Sequence, residues 1–201
     1  MNSITSSAIL STAYFPPIQY FQCLHRCHNI YIESLESYKR HSIRNRTLIL
    51  GANGIILLTV PIKRKSYSKI LIKDIKIAHN NWQKKHLNSI KSAYGSSPFF
   101  IHYFNEIESI INKKFTFLMD LNYEILNYVL HEISIQKNIN ETKVYLKKYP
   151  LNFLDQREKI EKHTGSKKYQ QVFSQKFISN LSIIDLIFNV GPNAKEYIYA
   201  S

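Results

Sequence analysis

A chain of 201 residues with 44% hydrophobic and 13% aromatic side chains carries enough apolar surface to bury a core, which excludes an intrinsically disordered protein. No apolar run approaches the roughly 20 residues that a membrane-spanning helix requires, and the N-terminal sequence lacks the basic and apolar regions of a signal peptide. The two cysteines, Cys23 and Cys27, do not make a disulfide framework, so we expect a cytoplasmic protein.

The formal net charge of +13 leaves two interpretations open. A basic surface attracts nucleic acid, anionic lipid or an acidic substrate. The positive residues are scattered as short pairs, however, and the chain is also rich in Ile, Asn, Ser and Tyr, which A+T-rich codons encode. Codon-driven drift would raise the lysine content without any partner, so the charge alone does not assign a function.

The first elements in chain order predict a βαβ unit. The apolar run AILSTAY, residues 8–14, is bounded by Pro16-Pro17 and is typical of a strand. Proline is acceptable at the start of a helix, which we expect over IQYFQCLHRC, residues 18–27. The segment NIYIES, residues 29–34, indicates a second strand, and this order of elements favours parallel pairing.

Two further strand signals follow. Apolar runs flank Asn53-Gly54, which supplies positive φ for a type I′ turn, and they predict a hairpin of Thr47–Ala52 and Ile55–Val60. The segment KILIKDIKI, residues 69–77, alternates Lys and Ile at a period of two. This alternation predicts a strand with one solvated face.

The second half of the chain is predicted to be largely helical. Asn80 or Asn81 is expected to begin a helix that ends at Gly95, because these residue types are typical of the two helix ends. Two longer helices are expected at about Phe99–Lys113 and Thr116–Ile133.

The remaining segments complete the predicted architecture. Residues 137–168 are polar and weakly periodic and are expected to form a connecting or mobile segment, with some helix near LDQREKIEKH, residues 154–163. A compact final helix is expected in NLSIIDLIFNVGPNA, with Ser182 as its N-cap. We therefore expect one α/β domain over residues 1–201, a mixed sheet with a βαβ start and a β-hairpin, packed against a helical second half.

Seven stretches in sequence order resemble the WbqC-like protein family, and the resemblance covers residues 8–195. They are STAYFPPIQYF, YKRHSIRNR, LTVPIK, LIKDIKI, WQKKHLNSIKSAYGSSPFF, LMDLNYEI and NLSIIDLIFNVGP. The chain is similar to the short form found in Bacteroidetes-type bacteria. Longer members carry an additional segment after the helical middle, where this chain has INETKVYLKK, residues 139–148.

The resemblance implies a function in cell-surface polysaccharide assembly. Some family members lie in O-antigen or other surface-polysaccharide gene clusters, and transfer of glycine or another aminoacyl group to a sugar is one proposal for them. The resemblance therefore implies a small-group transferase of the aminoacyl or acyl type. Two alternatives stay open: a non-catalytic accessory or binding protein of an envelope pathway, and a basic nucleic-acid-binding protein.

Two residues are candidates for catalysis, and each has a structural alternative. His86 lies beside Trp82 on the apolar face of its predicted helix, where it could act as a general base or be a satisfied core histidine. Asp185 could be a catalytic carboxylate. It also lies three residues after Ser182, which is the spacing of a helix capping box.

Substrate binding is predicted for a second group of residues. The guanidinium of Arg46 can hold a carboxylate or phosphate in bidentate geometry, and the alternative for Arg44 and Arg46 is an ion pair at the surface or in the core. The resemblance favours Asn45 and Arg46 over Arg44. Tyr14 ends the first predicted strand, where it would line a pocket mouth or belong to a rigid packed turn. The predicted substrate-binding residues are Tyr14, Asn45, Arg46, Trp82 and Tyr94.

The sequence predicts neither a metal site nor a cofactor. The stretch CLHRCH, residues 23–28, has poor zinc-ligand spacing and no second cysteine pair. There is no Gly-x-Ser-x-Gly elbow and no P-loop. A transfer reaction would therefore need an activated donor, and the expected partner is a small anionic substrate such as an activated sugar or acyl donor.

Overall fold

The computed structural model describes residues 7–63, 70–160, 167–173 and 176–199. The strands are β1 (Ser7–Ser11), β2 (Asn29–Glu33), β3 (Arg46–Gly51), β4 (Gly54–Thr59), β5 (Ile139–Glu141) and β6 (Phe153–Asp155). The helices are α1 (Ile18–Arg26), α2 (Trp82–Tyr94), α3 (Phe100–Asn112), α4 (Leu118–Glu132), α5 (Ile183–Val190) and α6 (Ala194–Tyr199).

A parallel sheet of order β5-β2-β1-β6 forms the centre of the fold. β1 pairs in parallel with both β2 and β6, and β2 pairs in parallel with β5. Every residue of β1 is buried, as is typical of a parallel strand that is covered on both faces. The predicted βαβ unit is confirmed, although β1 stops at Ser11 and the chain leaves the sheet before Tyr14.

The predicted hairpin is confirmed as a separate two-stranded antiparallel sheet, with its turn one residue earlier than expected. Gly51 pairs with Gly54, so the loop consists of Ala52 and Asn53. Positive φ falls on Gly54, at 113°, whereas Asn53 keeps a negative φ. The type I′ prediction is therefore wrong, because that turn needs positive φ at both central residues.

The predicted strand over residues 69–77 is wrong for its described part, and Lys69 lies outside the described residues. Ile72–Asp74 forms a turn of 3-10 helix, which breaks the alternation. The flanking residues make isolated bridges, from Leu71 to Ser37 and from Ile77 to Ile62. The lysines still face solvent while Ile72, Ile75 and Ile77 are buried. The sequence pattern therefore reflects the burial of these side chains and not the pairing of a β-strand.

The segment 137–168, expected as a connection, contributes β5 and β6 to the central sheet. The helix expected near residues 154–163 does not begin at Leu154, because Leu154 and Asp155 belong to β6, and Ile160 is the one described residue of this stretch with 3-10 helical geometry. Residues 161–163 lie outside the described residues. Strands this short leave almost no periodic signal, which explains why the sequence did not predict them.

The helices of the second half confirm the α/β class. α2, α3 and α4 follow the predicted bounds to within two residues. One apolar cluster joins residues of α1, the hairpin, α2 to α5 and the parallel sheet. Within the described ranges, no helix is both long enough and apolar enough to cross a bilayer.

Candidate functional site

A cavity of about 300 Å³ opens beside the start of β3. Its wall combines the turn before α1, the segment that leads into β3, the strand β4 and the residues just before α5. The lining includes Pro17, His41, Arg46, Leu57, Asn180 and Ser182. We call this cavity the Arg46 pocket.

Two polar atoms at the Arg46 pocket are buried without a hydrogen-bond partner. They are Nε of Arg46, a donor, and Oδ1 of Asn180, an acceptor. Buried polar groups are almost always paired, because an unmade hydrogen bond costs roughly 1–3 kcal/mol. A ligand that carries both a hydrogen-bond acceptor and a donor would satisfy the unpaired Nε of Arg46 and the unpaired Oδ1 of Asn180.

Backbone strain is concentrated at the same place. His41 and Asn180 line the pocket with φ of 58° and 59°, and Phe15 next to it has φ of 41°. Positive φ is tolerated by Asn and His but is an outlier for Phe. The Phe15 carbonyl accepts hydrogen bonds from the hydroxyls of Thr47, at 2.8 Å, and Ser182, at 3.1 Å, which fix this conformation. Strained residues held in this way are typical of functional sites.

Asn45 holds the chain immediately before Arg46. Its amide donates to the Val60 carbonyl at 2.8 Å, and its Oδ1 accepts from the Tyr38 hydroxyl at 2.9 Å. The Val60 backbone N–H donates back to the Asn45 carbonyl at 2.8 Å. These bonds fix the first residue of β3 and therefore the origin of the Arg46 side chain.

Arg44 and Arg46 have opposite environments. Arg44 is 1% exposed and donates two hydrogen bonds to the Glu36 carboxylate, at 2.7 and 2.6 Å, with Glu158 at 3.2 Å. This is the core ion pair that the sequence left open as the alternative. Arg46 has no carboxylate partner among the described residues, so its charge is available at the pocket.

Tyr14, Trp82 and His86 come together in the core, away from the lining of the Arg46 pocket. The Tyr14 hydroxyl lies 2.9 Å from Nδ1 of His86, and the Trp82 ring packs edge-on against both. His86 is 5% exposed and also hydrogen-bonds the Thr59 backbone. Burial lowers the pKa of His86 to about 4, so the imidazole is neutral at pH 7.

Asp185 is fully buried at the centre of a polar network. Its carboxylate accepts hydrogen bonds from the Tyr94 hydroxyl at 2.9 Å, the Tyr169 hydroxyl at 2.6 Å and the Gln171 amide at 2.9 Å. The Tyr94 hydroxyl in turn accepts from the Leu50 backbone N–H at 3.1 Å. Burial raises the pKa of Asp185, while these donors oppose that rise.

The capping alternative for Asp185 does not describe its side chain. Ser182 occupies the N-cap position but makes no side-chain cap hydrogen bond, because its hydroxyl donates to Phe15. The carboxylate of Asp185 instead ties α5 to α2, and through Tyr94 to β3. The catalytic roles of His86 and Asp185 stay predictions.

The structure thus distributes the predicted residues over separate places. Tyr14, Trp82 and His86 share one cluster, Tyr94 and Asp185 share another, Asn45 supports β3, and Arg46 alone lines the pocket. Sequence reasoning missed His41 and Asn180. His41 lies within YKRHSIRNR, but its positive φ and its contact with the pocket have no signal in a single sequence.

These features define an α/β protein with a central parallel sheet, a separate hairpin and a small pocket at one uncompensated arginine. The chain belongs to the WbqC-like protein family, which matches residues 12–150 and 150–197. It is also similar to the "Uncharacterized protein Rv1507c" of Mycobacterium tuberculosis (strain ATCC 25618 / H37Rv). The two are 22% identical over 223 residues, which cover 95% of this chain and 96% of that protein. No solved structure matches the chain.

Proposed function

We propose that this WbqC-like protein is a small-group transferase of the aminoacyl or acyl type in cell-surface polysaccharide assembly. The observation that carries the proposal is the pair of unmade hydrogen bonds, from Nε of Arg46 and to Oδ1 of Asn180, at one cavity. A guanidinium suits a phosphate or carboxylate of an activated donor. An amide oxygen suits the amino group of an aminoacyl unit.

His41 supplies the proton chemistry in this proposal. It is exposed at the pocket, and an imidazole nitrogen positioned there can accept a proton from a bound acceptor. The acceptor amine or hydroxyl attacks the acyl carbon of the donor and forms the new bond. The bond to the leaving group breaks, the leaving group takes the electron pair, and His41 takes the proton of the acceptor. The buried neutral His86 is not needed for this step.

The first test is isothermal titration of the purified chain with an acyl-coenzyme A thioester, a nucleotide sugar and a non-hydrolysable aminoacyl adenylate. One of these classes is expected to bind, and Arg46→Ala is expected to weaken it by about tenfold or more, because a charged hydrogen bond is lost. Arg40→Ala removes an exposed arginine from the same segment and is the matched control. Equal binding of the acyl-coenzyme A thioester or the aminoacyl adenylate by the wild type and Arg46→Ala would contradict the proposal.

The second test separates binding from chemistry. His41→Gln is expected to leave the affinity for the donor unchanged and to slow transfer by about 100-fold, the lower range for loss of a general base. Transfer at the wild-type rate would remove His41 from the proposed mechanism while leaving the binding site intact.

A second candidate function, a non-catalytic accessory protein, is favoured by the outer face of the hairpin. Leu48, Ile55 and Leu57 are 40%, 53% and 49% exposed on this face, and Leu48 and Leu57 also line the Arg46 pocket. Contiguous exposed apolar residues are typical of protein interfaces. A folded protein that binds none of the three ligand classes would favour this function over transfer.

A further inference from the structure

A second cavity, of about 470 Å³, lies at the carboxyl end of β6. All three residues of β6 form part of its wall, together with Glu36 from the segment after β2 and the chain on either side of β6. Its lining includes Tyr145, Lys147, Lys148, Tyr149, Arg157 and Lys159, and we call the cavity the β6 pocket.

The position of the β6 pocket in the sheet is the first argument for a ligand. From β1 the chain proceeds to β2 on one side, and β6 pairs with β1 on the other side. The sheet therefore changes direction between β1 and β6. In open parallel sheets, ligands bind beyond the carboxyl ends of the strands at such a switch point.

The charge of the β6 pocket is the second argument. Three carboxylates line it, and each is already paired: Asp155 with Arg157, Glu36 with Arg44, and Glu158 with both Lys39 and Arg44. The lysines at the same cavity are exposed, and no described carboxylate lies within ion-pair distance of them. They are Lys147, Lys148 and Lys159. The uncompensated charge of the pocket is therefore positive.

The aromatic residues are the third argument. The Arg157 guanidinium lies 5.0 Å from the centroid of Tyr149 and 5.5 Å from that of Tyr145. Arg157 is itself fixed by Asp155, at 2.6 and 2.9 Å, and by Glu33 at 3.6 Å. The Tyr149 hydroxyl donates to Glu33 at 2.8 Å, whereas Tyr145 is 46% exposed. The exposed ring of Tyr145, which packs against the fixed Arg157, can stack on a flat heterocycle.

We propose that the β6 pocket binds the nucleoside diphosphate part of a nucleotide-activated substrate. Lys147, Lys148 and Lys159 contact the phosphates as point charges, and the base stacks on Tyr145. Both pockets border the segment between β2 and β3, since Glu36 lines one and His41 lines the other. A transferase needs two substrates, and this arrangement gives each of them a pocket.

The test is titration of the full chain with UDP, ADP, inorganic diphosphate and a short single-stranded DNA. A nucleoside diphosphate is expected to bind with one-to-one stoichiometry and more tightly than inorganic diphosphate. Lys147→Ala combined with Lys148→Ala is expected to weaken binding by more than tenfold, and Tyr145→Ala by about tenfold. The matched controls are Lys85→Ala combined with Lys91→Ala on the exposed face of α2, and Tyr199→Ala.

Three outcomes would overturn the proposal. One is equal binding of the nucleotide by the wild type and the Lys147, Lys148 double variant. Another is equal affinity for inorganic diphosphate and UDP together with no effect of Tyr145→Ala, which would mean a simple phosphate site. The third is tight binding of DNA alone, weakened as much by the Lys85, Lys91 control variant as by the Lys147, Lys148 variant. That result would mean a diffuse polyanion-binding surface.

The β6 pocket and the Arg46 pocket share no lining residue, so nucleotide binding and the proposed transferase site can be tested independently. Arg46→Ala is expected to leave binding of UDP unchanged if the β6 pocket is its site. Loss of UDP binding in Arg46→Ala, with normal binding in the Lys147, Lys148 variant, would place the nucleotide in the Arg46 pocket and overturn the inference alone.

Discussion

The surroundings of Asp185 and those of Arg46 differ in whether their hydrogen bonds are made. The Asp185 carboxylate is fully buried and accepts from Tyr94, Tyr169 and Gln171. Arg46 reaches a cavity with a buried donor that has no partner. A buried charged residue whose hydrogen bonds are all made within the protein has a structural role, whereas an unpaired hydrogen-bond donor at a cavity indicates a ligand.

The largest effect is expected from removing the Asp185 carboxylate. Asp185→Ala leaves two buried hydroxyls and one amide without their acceptor, and it is expected to lower the free energy of unfolding by about 4 kcal/mol. Chemical denaturation measures this loss. A loss below about 1 kcal/mol would mean that the network is not structural, and the contrast with Arg46 would fail.

A pH-dependent effect is expected from His86. Its pKa falls from the usual value of about 6.5 to about 4 on folding, so the unfolded chain takes up a proton between these values while the folded chain does not. The stability that this residue contributes is complete above pH 6.5 and is lost as the pH falls to 4. The loss is roughly 3 kcal/mol.

The measurement is the free energy of unfolding at pH 7 and pH 4 for the wild type and His86→Gln. The other histidines are the same in both proteins, so the difference in pH dependence belongs to His86. Identical pH dependence in the two proteins would show that His86 is solvated and open to a substrate, as the catalytic prediction requires.

Asn45 is expected to affect both the stability of the fold and ligand binding in the Arg46 pocket. Asn45→Ala breaks the bonds to Val60 and Tyr38 and is expected to cost about 2 kcal/mol of stability. It is also expected to weaken ligand binding in the Arg46 pocket, because the start of β3 is no longer fixed by these bonds. Weaker binding with unchanged stability would instead indicate that Asn45 touches the ligand directly.

Arg46→Ala is expected to have the smallest effect on the fold. Its Nε makes no hydrogen bond and it has no described carboxylate partner, so the free energy of unfolding should change by no more than about 0.5 kcal/mol. Thermal denaturation without ligand measures this. A large loss would mean that Arg46 serves the fold in the way that Arg44 does.

Local patterns in the sequence were enough for the βαβ unit, the hairpin and the helices of the second half. These elements are long or have strong end signals, as at Asn81 and Gly95. The strands β5 and β6 could not be predicted, because each has three residues and is specified by its neighbours in the sheet. The alternation in residues 70–77 was misleading because Ile72, Ile75 and Ile77 are buried by a 3-10 turn and isolated bridges and not by a paired strand.

The candidate site was predictable only in part. Arg46 was found because its residue type and the family resemblance agree, and it lines the pocket. Asp185 was found as a residue, but its partners Tyr169 and Gln171 come from a polar stretch without periodicity. Asn180 was missed because its importance depends on a φ of 59° and an unmade bond, which only the folded chain has.

The central claim is tested most directly by the ¹⁵N–¹H resonances of the arginine Nε groups during titration with the acyl or aminoacyl donor that binds. The Nε of Arg44 is already bonded to Glu36 at 2.7 Å, whereas that of Arg46 is free. We predict that the Arg46 resonance, assigned by its loss in Arg46→Lys, moves to saturation while the Arg44 resonance stays in place. An unmoved Arg46 resonance at full saturation would contradict the assignment of this pocket as the binding site.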